Sequence, residues 1–511
     1  MKQYENLLSQ DPIAAFEKIK ENYKRYFETA YRINNKELDK KRIDLLSKDD
    51  NLFKEPYLEI LPEYTVDKNV DRISKLSEDS SCCQAFSYKE NEGKELAQSF
   101  FSFINKGLMG DNFAPYGHQV DMFKRTFIEG NNAVITSGTG SGKTESFLLP
   151  LLAQVYKEAK TWDKPQYNLK WFNSNDFEPI QRKGERRPAA LRAMIIYPMN
   201  ALVNDQMQRL RRALDYDDVR DFFDSPEVLN GNRIFFGRYN GETAGSQSKE
   251  YWKEIGKEQY KKKRENIAID LKKIYKQFDN IRSCANSEND HSRKEELLCI
   301  APRLSDKSFS GEMVDRWDMQ ITPPDIMITN TSMLSIMLMR HAEENIFEAT
   351  KVWLEADSSH VFTLALDELH LYRGTSGSEV AFLIRLFLKM IGLPPVVEKN
   401  GLTVPNPQLR VLASSASLGD DDKTEQFLEE FFGVYHSDRK PVFYIQKGAD
   451  YIPADNIPNV NFEDFKLIPS EYIDLSQEER RGKIAQLIEK YGSKDIEDFL
   501  SRYSESIFSQ L

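Results

Sequence analysis

One segment, AVITSGTGSGKTE at residues 133–145, constrains the fold of this chain more than any other. A short apolar run, typical of a strand, leads into a glycine-rich turn and then into a leucine-rich stretch typical of a helix. Backbone N–H groups of such a turn converge on phosphate oxygens, and the positive end of the helix dipole strengthens the attraction. The alternative is a glycine-rich turn without a ligand, but the order of strand, turn and helix favours a phosphate-binding loop.

The residues of this loop have separate roles in that interpretation. Lys143 would reach the β- and γ-phosphates of a nucleotide, and Thr144 would ligate Mg²⁺. The glycines permit positive φ angles and a close approach of the backbone to the ligand. Ser137 departs from the usual motif, which has its first glycine at this position. The predicted nucleotide-binding residues of the loop are Gly138, Thr139, Gly140, Ser141, Gly142, Lys143, Thr144 and Glu145.

Short apolar runs alternate with helical patterns from about residue 111 to residue 445. Each run is nearly continuous in apolar residues, which is typical of parallel strands buried on both faces of a sheet. The pattern predicts an α/β fold with a doubly wound parallel sheet, in which ligands bind at the carboxyl ends of the strands. The predicted strands are Ala133–Thr136, Ala193–Tyr197, Arg233–Phe236, Ile326–Thr329, Phe362–Leu366 and Arg410–Ser414.

Three regions lie outside this alternation or interrupt it. Residues 1–110 predict a mainly helical N-terminal region, and residues 446–511 predict a helical C-terminal extension or the start of a linking segment. Residues 244–310 predict a charged helical insertion in the domain of residues 111–445. Within it Lys261, Lys262, Lys263 and Arg264 form a basic cluster, which is either a solvated helix face or a contact to a phosphate backbone.

Composition argues against several classes of protein. The four cysteines include the adjacent pair Cys82 and Cys83 and show no C-x-x-C spacing, which disfavours a zinc site or a disulfide framework. The N-terminus has no apolar signal segment, and no apolar run is long enough to span a membrane. We therefore expect a cytoplasmic protein without a membrane partner. The net charge of −11 disfavours a uniformly basic nucleic-acid binder but is compatible with a local basic groove.

A second strong signal is the sequence Asp367-Glu368-Leu369-His370, which follows the apolar run VFTLAL. Charged groups beside a buried strand are costly, so an acidic pair in this place needs a reason. With a phosphate-binding loop in the same chain, Asp367 would hold Mg²⁺ and Glu368 would accept a proton from the attacking water. His370 would link this site to neighbouring loops. The alternative is a strand end capped by exposed acids.

The segment APYGHQVDMF, residues 114–123, precedes the phosphate-binding loop. The amide of Gln119 can donate and accept at once, so it can pair with both N6 and N7 of adenine, and Tyr116 would pack near the base. The alternative is an ordinary glutamine at a helix start. The distance from the loop favours adenine, and we therefore predict ATP and Mg²⁺ as the cofactors.

Seven motifs occur in order along the chain: GHQ, SGTGSGKT, YPMNALVNDQ, GRYNGET, PPDIMITNTSML, LDELHLYRGTSGSEVA and SSASLGD. The series resembles the first RecA-like lobe of superfamily 2 helicases of the DEAD/DEAH-box type, over residues 114 to about 435. RWDMQ before PPDIMITN, and YRGTSGSEVAFLIR after the acidic pair, resemble the Lhr-like and Hrq-type group of DNA helicases. Large bacterial helicases, some of them in phage-defence loci, share these versions. The resemblance implies a P-loop, RecA-like sheet and an ATP-dependent helicase or ATPase.

The resemblance also implies contacts to single- or double-stranded DNA, with RNA as the alternative strand. The implied strand-contacting residues are Pro198, Asn200, Ala201, Asn204, Gln206, Arg238, Gly241, Glu242, Thr329, Asn330 and Ser332. Hydroxyls and amides suit sequence-independent phosphate contacts, although helix capping would explain the same residue types. Ser415, Ala416 and Ser417 match the motif that couples the γ-phosphate region to the strand-binding loops.

Superfamily 2 motors need a second RecA-like lobe, which supplies arginine fingers to the ATP site. After residue 435 we find no second motif series, and such a lobe would need about 150 residues. We therefore predict the N-terminal portion of a motor, completed by a second lobe on a separate chain and slow in hydrolysis alone. An ATP-dependent protein-interaction switch without unwinding is the alternative function. An inert remnant is disfavoured, because the catalytic Lys143, Thr144, Asp367 and Glu368 are all present.

Overall fold

The computed structural model of the protein describes most of the chain between residues 12 and 448. The described residues are 12–31, 33–48, 66, 70, 72–87, 92–110, 114–138, 140–169, 181–288, 290–305, 308–372, 374–416, 418–419, 421–448, 485–486 and 489–491. The chain divides into two compact units, one of residues 64–450 and the other of residues 1–63 and 451–511. The predicted helical C-terminal region therefore lies almost wholly outside the described residues.

A parallel sheet forms the centre of the larger unit. The described strands are β1 (Asn132–Thr136), β2 (Ala193–Tyr197), β3 (Phe236–Arg238), β4 (Glu312–Met313), β5 (Ile326–Asn330), β6 (Phe362–Leu366), β7 (Val396–Lys399), β8 (Leu402–Pro405), β9 (Leu409–Ser415) and β10 (Phe443–Lys447). Eight of them form one sheet in the order β10-β1-β9-β6-β2-β5-β3-β4, and every neighbouring pair in it is parallel. Strands β7 and β8 form a separate antiparallel hairpin.

Helices of the larger unit cover both faces of this sheet, and the first two helices of the chain belong to the other unit. In chain order the described α-helices are α1 (Pro12–Ala30), α2 (Lys36–Leu46), α3 (Ser80–Phe86), α4 (Gly93–Ile104), α5 (Gly117–Phe123), α6 (Lys143–Ala159), α7 (Asn200–Asp215), α8 (Asp217–Asp224), α9 (Lys249–Ile255), α10 (Lys257–Asn286), α11 (His291–Cys299), α12 (Arg316–Ile321), α13 (Thr331–Met339), α14 (Glu344–Ala356), α15 (Gly374–Met390) and α16 (Asp422–Phe432). Short 3₁₀ or π turns occupy Ile73–Glu78, Asn105–Met109, Lys124–Ile128, His341–Glu343 and Leu369–Leu371.

The alternation of side chains along β2 shows how the two faces are filled. Ile195 belongs to a core shared with α6, and its neighbours Met194 and Ile196 belong to a core shared with α15 on the other face. All five residues of β2 are buried, as they are in β1, β5 and β6. Because successive side chains of a strand point to opposite faces, a strand covered on both faces has no polar side. The predicted doubly wound α/β fold is confirmed.

Five of the six predicted strands occur in the sheet within about one residue of their predicted ends, and the third begins later. It was predicted over residues 233–236, but β3 is Phe236–Arg238. Side chains bind the backbone just before β3. Phe235 N–H donates to Asp325 Oδ2 at 2.8 Å, and Arg187 Nη2 donates to Arg233 O at 3.1 Å. Strands β4 and β10 and the hairpin were not predicted, since these short segments lack a continuous apolar run.

Part of the predicted N-terminal region packs within the larger unit. Aromatic residues of α4 meet those of α6 and α8, with Phe103 stacked on Tyr156 at a ring-centroid distance of 5.5 Å and 5.0 Å from Phe223. The hydroxyl groups of Ser99 and Tyr156 lie 2.6 Å apart. The described residues 72–87 and 92–110 are thus mainly helical and share one core with the sheet. The predicted domain limits at residues 110 and 445 stay predictions.

The predicted insertion is also helical, comprising α9, α10 and α11. Four residues at helical spacing, Ile267, Leu271, Phe278 and Ala285, are the buried residues of α10 and pack into the cores of the larger unit. The ring of Tyr260 stacks on Trp317 of α12 at 5.9 Å. Among the helices in the described part of the chain, none has the length and apolarity needed to cross a bilayer.

Candidate nucleotide-binding site and nucleic-acid interface

The sheet brings the predicted catalytic segments together at the carboxyl ends of β1, β9 and β6. Strand β9 lies between the other two, with Thr136 opposite Ser415 and Leu366 opposite Ala413. Ser137 N–H donates to Ser415 O at 3.2 Å, which fixes the start of the phosphate-binding loop against the end of β9. Residues far apart in the chain therefore meet at one edge, as expected for a doubly wound sheet.

The phosphate-binding loop has the backbone conformation that its glycines predict. Gly140 and Gly142 have φ angles of 78° and 71°. A Cβ atom on Gly142 would lie 2.3 Å from Gln119 Nε2, so glycine is required there for space as well as for conformation. Ser137 replaces a glycine without strain, because its hydroxyl lies 2.6 Å from that of Ser141. The Ser141 hydroxyl also donates to Gly138 O at 2.9 Å. Thr139 lies outside the described residues.

Lys143 is the first residue of α6, and its ammonium group fits a phosphate ligand. The Nζ atom is buried and has no hydrogen-bond partner among the described residues. A buried cation needs an anionic partner, and the phosphate oxygens of a nucleotide would supply one. Thr144, the predicted Mg²⁺ ligand, is buried beside it, and Gln206 Nε2 lies 3.4 Å from its hydroxyl. Glu145 is paired with Arg209 of α7.

The acidic pair occupies the end of β6. Asp367 is buried, and its Oδ1 accepts hydrogen bonds from Ser414 Oγ and, at 3.0 Å, from Glu368 N–H. Burial raises the pKa of Asp367, and the hydrogen bond from Ser414 opposes that shift. Glu368 has a φ angle of 54°, in the left-handed region that non-glycine residues rarely adopt. Such strain is typical of functional sites.

His370 joins the acidic pair to the segment after β9. Its Nδ1 lies 3.3 Å from Glu368 Oε2 and 3.4 Å from the backbone N of Ala416, whose N–H donates to it. Ser415 is buried at the end of β9, and Ser417 lies outside the described residues. The predicted coupling residues Ser415 and Ala416 therefore lie between the phosphate-binding loop and the acidic pair.

The residues at the start of α5 contact the phosphate-binding loop. Gln119 is fully buried; its Nε2 donates to Gly142 O at 3.2 Å, and its Oε1 accepts from Tyr116 N–H at 3.0 Å. His118 stacks on Tyr116, and its Nε2 lies 2.7 Å from Ser141 O. Burial lowers the pKa of His118, so the neutral ring can donate to this carbonyl. Pairing of Gln119 with adenine would require these bonds to open, and it stays a prediction.

A polar cluster at the ends of β2, β3 and β5 contains several predicted strand-contacting residues. Asn200 Oδ1 accepts from Asn330 Nδ2 and, at 3.1 Å, from Asn240 Nδ2. Arg238 Nη1 donates to Asn204 Oδ1 and, at 2.8 Å, to Glu242 Oε2. These five residues together with Glu242 are called the asparagine–arginine cluster below. Because Asn200, Asn204 and Glu242 are exposed and Arg238 is half-buried, the cluster presents amides, a carboxylate and part of a guanidinium to solvent.

Other predicted strand-contacting residues are placed differently. Pro198 is half-buried, whereas Gly241 and Ser332 are exposed at the same edge. Thr329 is fully buried, and its hydroxyl donates to Tyr239 O at 2.7 Å. It therefore supports the turn after β3 and does not face a nucleic-acid strand. Gln206 is buried towards Thr144 and does not lie with the asparagine–arginine cluster.

Four residues of the site were missed by sequence reasoning. Ser414 precedes the predicted coupling motif and binds Asp367, while Asn240 and His118 stand inside quoted motifs without an assigned role. Arg316, in RWDMQ, donates to the backbone carbonyls of Thr243 at 3.1 Å and Gly241 at 3.4 Å and so holds the turn. A hydroxyl at the end of a buried strand was the available signal for Ser414.

A parallel sheet with a phosphate-binding loop after its first strand and an acidic pair two strands away has the arrangement of a P-loop domain. Residues 116–231 match the DEAD/DEAH box helicase family. The chain therefore contains a segment that matches the helicase domains of superfamily 2.

Several known proteins are similar to this chain. The Druantia protein DruE of Escherichia coli (strain UMEA 4076-1) is 30% identical over 462 residues, which are 86% of this chain and 22% of that protein. The chain thus spans about a fifth of the length of this relative. The DUF1998 helicase MrfA bound to DNA is 16% identical, with a TM-score of 0.34 over 77% of this chain and 39% of that one. The Hef helicase domain of Pyrococcus furiosus is 11% identical, with a TM-score of 0.29 over 76% and 56%.

Proposed function

We propose that this chain is the ATP-binding motor lobe of a DNA helicase or translocase, which couples ATP hydrolysis to strand movement when a second RecA-like lobe completes it. The observation that carries the proposal is the ammonium group of Lys143, buried without a hydrogen-bond partner among the described residues, at the same sheet edge as the strained, acidic end of β6. The asparagine–arginine cluster lies at the carboxyl ends of the next strands of that sheet. A nucleotide and a nucleic-acid strand would therefore bind side by side.

The residues of the site have complementary roles in hydrolysis. Bound ATP would supply the phosphoanhydride bond, and Mg²⁺ would offset the charge of its phosphates. Lys143 would bind phosphate oxygens, while Thr144 and Asp367 would hold the cation. Glu368 would take a proton from the attacking water, and His370, whose Nδ1 accepts from Ala416 N–H, would link the acidic pair to the segment after β9. Ser414 would keep Asp367 ionised, because its hydroxyl donates to the carboxylate.

The asparagine–arginine cluster is suited to a strand of any sequence. Amides and a guanidinium bind phosphate oxygens, and such contacts position a protein on nucleic acid without reading bases. We propose DNA as the strand, with RNA as the alternative to be measured. Roles in DNA repair or phage defence are further proposals, suggested by the motif versions that this chain shares with large bacterial helicases.

A second RecA-like lobe is the proposed partner. An arginine finger contributes about 10³ to 10⁵ in rate in P-loop enzymes, so turnover by this chain alone would be slow. Binding of ATP would not need the partner to the same degree, because the loop, Lys143 and Thr144 are all within this domain. The expected behaviour of the isolated chain is nucleotide binding with little hydrolysis.

The test combines binding and turnover. A fluorescent ATP analogue is titrated into the purified chain, and ATP hydrolysis is measured with and without single-stranded DNA or RNA and with the candidate partner chain. Loss of binding in Lys143→Ala, and loss of partner-supported turnover with binding retained in Glu368→Gln, would support the motor lobe. ATP-dependent partner binding without any turnover would instead support an interaction switch. Turnover that neither variant changes would refute both proposals.

A further inference from the structure

Helix α7 has one end in the asparagine–arginine cluster and one face against the phosphate-binding loop. Asn200 and Asn204, in its first two turns, belong to the cluster. Gln206 and Arg209 instead face α6, where they meet Thr144 and Glu145. A single rigid helix thus contacts both the proposed strand site and the proposed cation ligand.

Gln206 is the residue of this helix whose environment calls for a ligand. Its side chain is 6% exposed, and its Nε2 lies 3.4 Å from Thr144 Oγ1. Its Oε1 is buried and has no hydrogen-bond partner among the described residues. Buried acceptors are almost always paired, because an unpaired one loses its hydration without replacement. An acceptor beside a cation ligand would be paired by a water molecule bound to that cation.

Two further polar atoms, both on segments close to the carboxyl ends of the strands, are buried in the same way. In the part of the chain that the structure describes, Lys143 Nζ and Tyr197 Oη are also buried without a hydrogen-bond partner. Lys143 begins the helix after β1, Tyr197 ends β2, and Gln206 lies on the helix that follows β2. Burial and the charge of Asp367 raise the pKa of Tyr197, so its hydroxyl stays protonated as a donor. Two donors and one acceptor on the segments that follow β1 and β2 are therefore buried without hydrogen-bond partners among the described residues.

We propose that Gln206 is a positioning residue for the hydrated cation of the nucleotide site and not a strand contact. Its Nε2 would donate to Thr144 Oγ1, and its Oε1 would accept a hydrogen bond from a cation-bound water. Because Asn200 and Asn204 are on the same helix, contact with a strand would act on Thr144 through Gln206. The inference rests on the proposed function, since it requires that Mg²⁺ and a nucleotide bind here.

The test measures cation dependence without turnover. The affinity of a fluorescent ADP analogue is measured in EDTA and over a series of MgCl₂ concentrations, for the wild type, Gln206→Met and Gln206→Asn. Methionine keeps the length of the side chain without its amide, and asparagine draws the amide back by one methylene. Gln208→Met is the matched control, because Gln208 is exposed on the same helix. Thermal unfolding of each variant identifies any that fails to fold.

The expected result is a selective change in the MgCl₂ dependence. Nucleotide affinity in EDTA stays at the wild-type value in all variants. The MgCl₂ midpoint rises about tenfold in Gln206→Met, as expected for one lost hydrogen bond to a charged group. It also rises in Gln206→Asn. Midpoints equal to that of Gln208→Met in the folded Gln206 variants would overturn the inference alone. A wild type that binds no nucleotide at any MgCl₂ concentration would overturn the proposed function as well.

Discussion

Replacement of Asp325 by asparagine should destabilise the protein strongly while leaving the nucleotide site intact. Asp325 is fully buried and precedes β5, at the sheet edge opposite the phosphate-binding loop. Its carboxylate binds both terminal nitrogens of Arg187, at 2.6 and 2.7 Å, and Arg192 Nη1 at 2.9 Å. Its Oδ2 also accepts from Phe235 N–H, which ties the segment before β3 to β5.

The magnitude follows from the charges around this carboxylate. Arg182, Arg187 and Arg192 face three acids, which are Asp325, Glu158 and Glu185, so the network is neutral. Asparagine leaves a net positive charge in the buried part of this network and points an amide donor at arginine donors. Removal of one partner from a buried ion pair costs about 3–5 kcal/mol. That is a large fraction of the roughly 5–15 kcal/mol by which domains are typically stable.

The same carboxylate predicts a pH dependence. Burial alone would raise the pKa of Asp325, but the charges of Arg187, Arg182 and Arg192 lower it below its ordinary range. A lowered folded pKa contributes stability above the unfolded value of about 3.9, and this contribution is lost as the pH falls through the folded pKa. The wild type should therefore lose more stability than Asp325→Asn when the pH is lowered below about 4.

Urea unfolding followed by circular dichroism measures both effects, at neutral pH and over an acid series. The matched control is Asp221→Asn, because Asp221 is exposed on α8. A loss of less than about 1 kcal/mol, within the range of an exposed pair, would refute the buried-network reasoning. Retained affinity for the fluorescent nucleotide at neutral pH would show that the effect is on stability and not on the site.

Three further predictions concern other parts of the domain. Ser414→Ala should lower partner-supported ATP turnover about tenfold at unchanged nucleotide affinity. The acidic limb of the pH profile of turnover should move to higher pH, because Asp367 loses a hydrogen bond that lowers its pKa. An unchanged pH profile would contradict this. Arg238→Ala should weaken single-stranded DNA binding for all sequences and reduce the slope of log K against log salt by about 0.7, whereas a sequence-dependent loss would argue for base contact. Phe103→Ala should cost about 3–5 kcal/mol in urea unfolding, because the ring packs on Tyr156 and Phe223 in the core; a cost near zero would place residues 72–110 outside the folding unit.

The sequence by itself determined the class of fold and the residue types of the proposed nucleotide site. Continuous apolar runs followed by loops predicted the parallel sheet, because a strand buried on both faces has no polar side to show in its pattern. The loop from Ser137 to Lys143 was recognisable because its conformation is local: glycines set φ within a few residues, and the helix follows directly. The acidic pair after β6 was recognisable for a similar reason, since charges beside an apolar strand need a partner.

Only the tertiary structure decided which residues face each other across the sheet. Ser414 binds Asp367 because β9 lies beside β6, and Gln206 faces Thr144 because of the rotation of α7 against α6. Neither arrangement has a local signal, since strand order and helix rotation are set by packing of the whole domain. Sequence reasoning placed Gln206 with the strand contacts because its motif also contains Asn200 and Asn204. Gln206 lies six residues after Asn200 and two after Asn204, so it is not on the face that these two share at a spacing of four, and the fold alone assigns each face its neighbour.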